Sequence, residues 1–141
     1  MRALKSQAGV MLIEALVGIL IFSIGILALI GMQGIAIKNT TDARYRSEAA
    51  FLATEIVGRM WVDIGNISKY DKDYGSAHAT RDNWVNKVAA TLPGIDLVAP
   101  ARAPTIEVGA GNEVTITIEW LQPGETTSRK LVTVNRINGT T

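Results

Sequence analysis

The sequence predicts an α+β chain: a long N-terminal α-helix, membrane-spanning in its first half and amphipathic in its second, packed on a small antiparallel β-sheet. Three observations predict it. Val10 to Ile37 is an apolar run whose one charge is Glu14. Tyr45, Ala49, Leu52, Ile56 and Met60 then recur at steps of three and four, which draws an apolar stripe along one helix face. Glu113 to Trp120 alternates with period two, placing Val114, Ile116, Ile118 and Trp120 on one face and threonine and glutamate on the other.

Composition narrows the function classes. The chain has 141 residues, 14 basic and 13 acidic, for a net charge of +1. This is one domain's worth of chain, and it lacks the basic stripe of a nucleic-acid binder. There is no cysteine, so there is no disulfide or thiolate metal site, and the single His78 leaves little room for a histidine-based metal site or catalytic triad. Asp71-Lys72-Asp73-Tyr74-Gly75 has the alternate acids and glycine of a calcium loop without its third acid or closing glutamate, and reads as a solvated loop. No glycine-rich phosphate loop, helical HExxH or Ser/His/Asp arrangement occurs. The expectation is a chain with no catalytic role, cofactor or metal.

Taken in order, residues 1–9 form a short polar, basic leader carrying Arg2 and Lys5, and the positive-inside tendency places this end in the cytoplasm. As a helix, residues 10–37 extend roughly 40 Å, enough to cross a hydrocarbon core of about 30 Å. A carboxylate inside such a run costs about 2.5 kcal/mol or more on insertion scales, so Glu14 asks for a cationic partner. Gly18, Gly25, Gly31 and Gly34 punctuate the run. Small residues let neighbouring helices approach closely, and with no proline before Pro93, a kink would have to arise near Gly31–Gly34.

Polar residues from Lys38 mark the membrane exit. The helix is expected to continue to about Asp63, with Gly65 as its terminating glycine and Asn66 to Thr80 as loop. Thr80 or Asp82 is expected to cap a short helix through Trp84, Val88 and Leu92, stopped by Pro93-Gly94. A weak strand is expected at Ile95–Val98 and a connector at Ala99–Thr105. Strands at Thr105–Val108, Glu113–Trp120 and Arg129–Ile137 complete an antiparallel meander with one apolar and one polar face. Residues 38–141 thus form the second part of the chain.

A basic leader ending in Gly9, followed by an apolar helix with Glu14 as its fifth residue, resembles the class III signal of type IV pilins and type II secretion pseudopilins. Leu16-Val17-Gly18-Ile19-Leu20-Ile21-Phe22-Ser23-Ile24-Gly25 and Arg44-Tyr45-Arg46-Ser47-Glu48-Ala49-Ala50-Phe51 resemble the PilV family of minor pilins. The resemblance covers roughly residues 1–60. It implies a pilin-like fold, cleavage between Gly9 and Val10 by a prepilin peptidase, and N-methylation of Val10, where the family usually has phenylalanine. It further implies pairing of Glu14 with a neighbouring subunit. The protein would start in the inner membrane, N-terminus cytoplasmic and C-terminal part periplasmic, and pass into a type IV pilus. Its expected partners are the peptidase, other minor pilins and the major pilin, with a tip adhesin as a further candidate and no direct nucleic-acid contact. Pilus assembly, adhesion and twitching motility are the implied functions. A minor pseudopilin of a type II secretion system and a plain single-span periplasmic binding module are the alternatives.

Overall fold

A computed structural model describes residues 8–97 and 102–138, with the backbone alone described for residues 8 and 9. The leader up to residue 7, the end of the expected strand at Val98 and the first three residues of the following connector lie outside the described residues. The elements are helix α1 (Ala8–Val62), a 3-10 segment (Ile64–Tyr70), helix α2 (Ala79–Thr91) and strands β1 (Thr105–Val108), β2 (Glu113–Trp120) and β3 (Arg129–Arg136). The fold is α+β and pilin-like, as the sequence predicts. Two compact units divide the chain, Met1–Thr41 and Asp42–Thr141.

In the first unit, α1 runs through Gly31 and Gly34 with no break in its helical assignment. In the second unit the later part of α1 supplies Ala49, Leu52, Ala53, Ile56 and Met60 to the core. All five are at most 3% exposed. The sheet has the order β1-β2-β3, antiparallel throughout. Val114, Ile116, Ile118 and Trp120 of the central strand are buried in the same cluster as the α1 stripe, joined by Ile106, Trp84, Val88 and Ile137. Full burial of a side chain of this size contributes about 1.5–3 kcal/mol relative to exposure.

Polar contacts fix the position of each element against α1. Trp84 Nε1 of α2 donates to the Leu52 carbonyl at 2.9 Å, and Lys87 Nζ reaches Glu55 at 2.7 Å. At the sheet, Gln122 Nε2 and Arg129 Nε both donate to Asp42 Oδ1, at 2.7 and 3.1 Å, while Arg46 holds Oδ2 at 2.9 Å. Trp120 is 1% exposed, yet its indole N–H has no hydrogen-bond partner among the described residues. Gly94 sits at φ +70 where α2 gives way to the sheet; a Cβ there would lie 2.6 Å from the Leu121 Cβ, so the position demands glycine.

Several local expectations are corrected. Gly65 does not terminate α1: the helix ends at Val62, and Gly65 lies inside the 3-10 segment, so Asn66 to Tyr70 is not loop. The Asp63 carboxylate stabilises this turn by accepting from Asn66 Nδ2 at 2.7 Å and Tyr70 Oη at 3.1 Å. His78, rather than Thr80 or Asp82, occupies the N-cap position of α2. Asp82 lies one turn inside and its carboxylate reaches back to the His78 N–H at 3.1 Å. Residues 95–97 are not strand. The sheet faces are also not cleanly apolar and polar. In β3 the register puts Leu131, Thr133 and Asn135 on the buried face, opposite Ile118, Ile116 and Val114, while Val132 and Val134 point outward and are 49% and 58% exposed.

The loop after the 3-10 segment is tied down by its own acids. Asp71 Oδ1 accepts from the Asp73 N–H at 2.8 Å and Oδ2 from the Val108 N–H at 2.7 Å. The Arg81 guanidinium donates to the carbonyls of Asp71 at 2.8 Å and Ser76 at 3.2 Å.

Two outcomes follow from this packing. Trp84→Ala should destabilise the second unit by about 3–5 kcal/mol. Trp120→Phe should cost less than Trp84→Phe, because Trp84 loses a made hydrogen bond and Trp120 sheds an unmade one. Thermal unfolding of the full chain in detergent checks both. Acid should also destabilise this unit. Partial desolvation opposes ionisation of Asp42, but the hydrogen bonds from Arg46 and Arg129 outweigh it and hold the carboxyl below its usual range. Glu55 is lowered mainly by the hydrogen bond from Lys87, and Asp63 by that from Asn66. Depressed carboxyls stabilise the folded form above their unfolded values of 3.8 to 4.5 and lose that contribution as pH falls through the lower folded values. The melting temperature should therefore drop below about pH 4, and Asp42→Asn should flatten the drop while lowering stability at neutral pH.

Candidate functional site: an apolar helix with one carboxylate

The first unit presents apolar side chains to its surroundings over the whole of residues 10–37. Phe22 is 69% exposed and Leu27 68%. Soluble monomers rarely expose contiguous apolar patches beyond a few hundred Å². This is one helix, near the N-terminus, long and apolar enough to cross a membrane. Helix geometry satisfies the backbone within the segment, which a hydrocarbon environment requires. The hydroxyls follow the same rule: Ser23 Oγ donates to the Ile19 carbonyl at 2.7 Å, and Thr40 and Thr41 donate to Ala36 and Ile37 at 2.9 Å each. Each of these hydroxyls is sheltered one turn back along its own helix.

Glu14 breaks this pattern. It lies on the exposed helix and makes no hydrogen bond or ion pair among the described residues. At 100° per residue, Glu14, Gly18 and Gly25 fall within about 40° of one another around the helix axis. Nothing lies within 4 Å of the Cβ positions of those two glycines. The carboxylate thus heads a strip of low relief into which another helix can pack closely.

The sequence-predicted residues are close together. The Gly9–Val10 peptide bond lies within the described part of α1, and Val10 stands one turn before Glu14. Val10 itself is 69% exposed. What sequence reasoning missed is the Asp42 cluster. Asp42 meets Gln122 and Arg129 across 80 and 87 residues, and no local pattern signals such a contact.

Fold and site together define the class as a pilin-like α+β protein with a membrane-competent N-terminal helix. No family model, no curated protein and no solved structure matches the chain.

A charge in the middle of the apolar run should hinder insertion. Ile21→Lys adds about 2.5–3.5 kcal/mol to the insertion free energy, and should shift the protein from the membrane pellet to the supernatant on alkaline extraction. Thr54→Lys, exposed on the second unit, should remain in the pellet.

Proposed function

We propose that this chain is a minor pilin of the PilV type: a non-catalytic subunit of a type IV pilus. The observation that carries the reading is Glu14, the one charge of residues 10–37, which stands one helical turn from Val10 and has no hydrogen bond or ion pair among the described residues. A helix serving as a simple anchor has no use for a carboxylate there, since it opposes insertion.

In this reading a prepilin peptidase cuts between Gly9 and Val10 at the cytoplasmic side of the inner membrane and methylates the new N-terminus. The cut creates an ammonium on Val10. Glu14 of one subunit then pairs with the ammonium of the next as α1 leaves the lipid for the filament core. Two unit charges 4 Å apart attract by about 1 kcal/mol in water and about 4 kcal/mol at an effective dielectric constant of 20. An unpaired Glu14 in that core is correspondingly costly, so the pair selects one axial register between helices. Gly18 and Gly25, on the same face, let the neighbouring helix approach. The second unit lies in the periplasm and sets which minor pilins, major pilin or tip adhesin stand beside it. A subunit at the extreme tip has no chain above it, so Glu14 favours a place with a subunit on its tipward side. Adhesion and twitching motility would then depend on this chain through pilus assembly.

The N-terminal mass of the protein from membranes, with and without the peptidase, tests the reading. Loss of residues 1–9 and a methyl group on Val10, both peptidase-dependent, are expected. An intact N-terminus in both samples overturns it. Glu14→Val should leave membrane insertion intact and reduce recovery in sheared pili by about tenfold or more, the equivalent of 1.4 kcal/mol of lost pairing.

A further inference from the structure

The two edges of the sheet are treated differently. The β1 edge is closed by the protein itself: the Lys72 N–H donates to the Ile106 carbonyl at 2.8 Å, and the Asp71 carboxylate accepts from the Val108 N–H at 2.7 Å. Nothing comparable reaches the outer edge of β3 among the described residues. The free groups on that edge can be assigned. The Ile137 N–H donates to the Asn112 carbonyl at 3.0 Å, continuing the β2–β3 register by one step. Antiparallel ladders alternate, so Leu131, Thr133 and Asn135 also turn their backbone groups toward β2. Lys130, Val132, Val134 and Arg136 turn theirs to the open edge. Long edge strands with free backbone groups are templates for further pairing, and proteins usually blunt them.

The side chains around this edge are arranged for one more strand. On the outer face Val132 and Val134 are exposed, ready for cross-strand apolar neighbours. On the opposite face a cavity of about 220 Å³ lies beside β3, lined by Ala53, Thr54 and Val57 of α1 and by Leu131 and Thr133. Asn135 Nδ2 donates to Thr133 Oγ1 at 2.7 Å, so these two polar side chains of the wall are tied to each other. The hollow is where the inward side chains of an added strand would rest on α1.

We propose that β3 is a docking edge for an extended segment of a different protein chain, which adds a fourth antiparallel strand. Charge decides against a second copy of this chain. The homotypic pairing that overlaps all of Lys130 to Arg136 puts Lys130 opposite Arg136 at both ends, and like charges directly opposed are destabilising. Arg136 is already paired with Glu113 at 3.2 Å, and Arg129 with Asp42 at 3.1 Å, whereas Lys130 has no acid within ion-pair distance among the described residues. The segment therefore carries an acid opposite Lys130, β-branched apolar residues opposite Val132 and Val134, and compact apolar residues between them. This inference stands apart from the filament reading and survives if that reading fails.

The test uses the full chain in detergent micelles and a dye-labelled heptapeptide, Thr-Ala-Val-Val-Val-Ala-Glu, followed by fluorescence anisotropy. Saturable binding below about 1 mM is expected. Proline is tolerated on an edge where its missing N–H faced outward, so Val134→Pro and Val132→Pro should each keep the melting temperature and weaken binding about tenfold or more. N-methylation of the third and fifth residues of the peptide should weaken binding to the unaltered protein equally. Lys130→Glu should reverse the preference between this peptide and one ending in lysine. Absence of binding, undiminished binding of the N-methylated peptide, or undiminished binding by both proline variants overturns the proposal. Dimerisation of the protein that the proline substitutions abolish would overturn the choice of a foreign strand.

Discussion

Everything in the second unit depends on covering one stripe. Ala49, Leu52, Ala53, Ile56 and Met60 cannot face water together, and the chain meets that demand with the inward face of β2 and the inner side of α2. The small residues Ala49 and Ala53 matter as much as the large ones, because they leave room for bulkier side chains from the facing layer. With the stripe as one wall, Trp120, Trp84 and Ile137 fall into the same cluster although they come from three separate parts of the chain.

Directional contacts then select one arrangement out of those that would bury the same area. Asp42 is the centre of the most extended set, joining Gln122 from the connection after β2, Arg129 from β3 and Arg46 from its own helix. Glu55 does the same for α2, held by Arg59 at 2.8 Å and Lys87 at 2.7 Å. Exposed ion pairs individually contribute little, but here each acid is shared between α1 and another element. The pairing specifies register more than it adds stability. Among the described residues of the first unit no such ion pair occurs: the hydroxyls of Ser23, Thr40 and Thr41 turn back to their own helix, Gly18, Gly25, Gly31 and Gly34 stay open, and Glu14 is left unmatched.

Periodicity made the large elements legible. The stripe from Tyr45 to Met60 and the alternation from Val114 to Trp120 each repeat often enough to override local exceptions, and α1, β2 and the meander stand where those patterns place them. The failures share a cause. Gly65 and the cap of α2 depend on single residues whose roles are set by tertiary partners: Asp63 holds its turn through Asn66 and Tyr70, and Asp82 serves the helix from inside rather than from its end. In β3 both faces carry apolar residues, Leu131 on the inner one and Val132 and Val134 on the outer one. Val132 and Val134 look like core, and what turns them outward is the register with β2, which no feature within the strand announces. Of the candidate site, Glu14 stands out because charge and apolarity contrast along the chain, whereas Gly9 and Val10 are singled out by the family resemblance alone. The Asp42 cluster was not readable, since Gln122 and Arg129 stand 80 and 87 positions away from Asp42.

That separation bears on how the protein is made. The wall of α1 emerges from the ribosome early, and β3, which carries Arg129 and leads into Ile137, emerges last of the described elements. Until then the stripe lacks its cover, and the contacts that close it are among the longest in sequence. The second unit therefore closes only after β3 has emerged, in a slow step of high contact order. Until β3 arrives, the nascent chain carries an uncovered apolar stripe, the kind of surface that makes folding intermediates prone to aggregate.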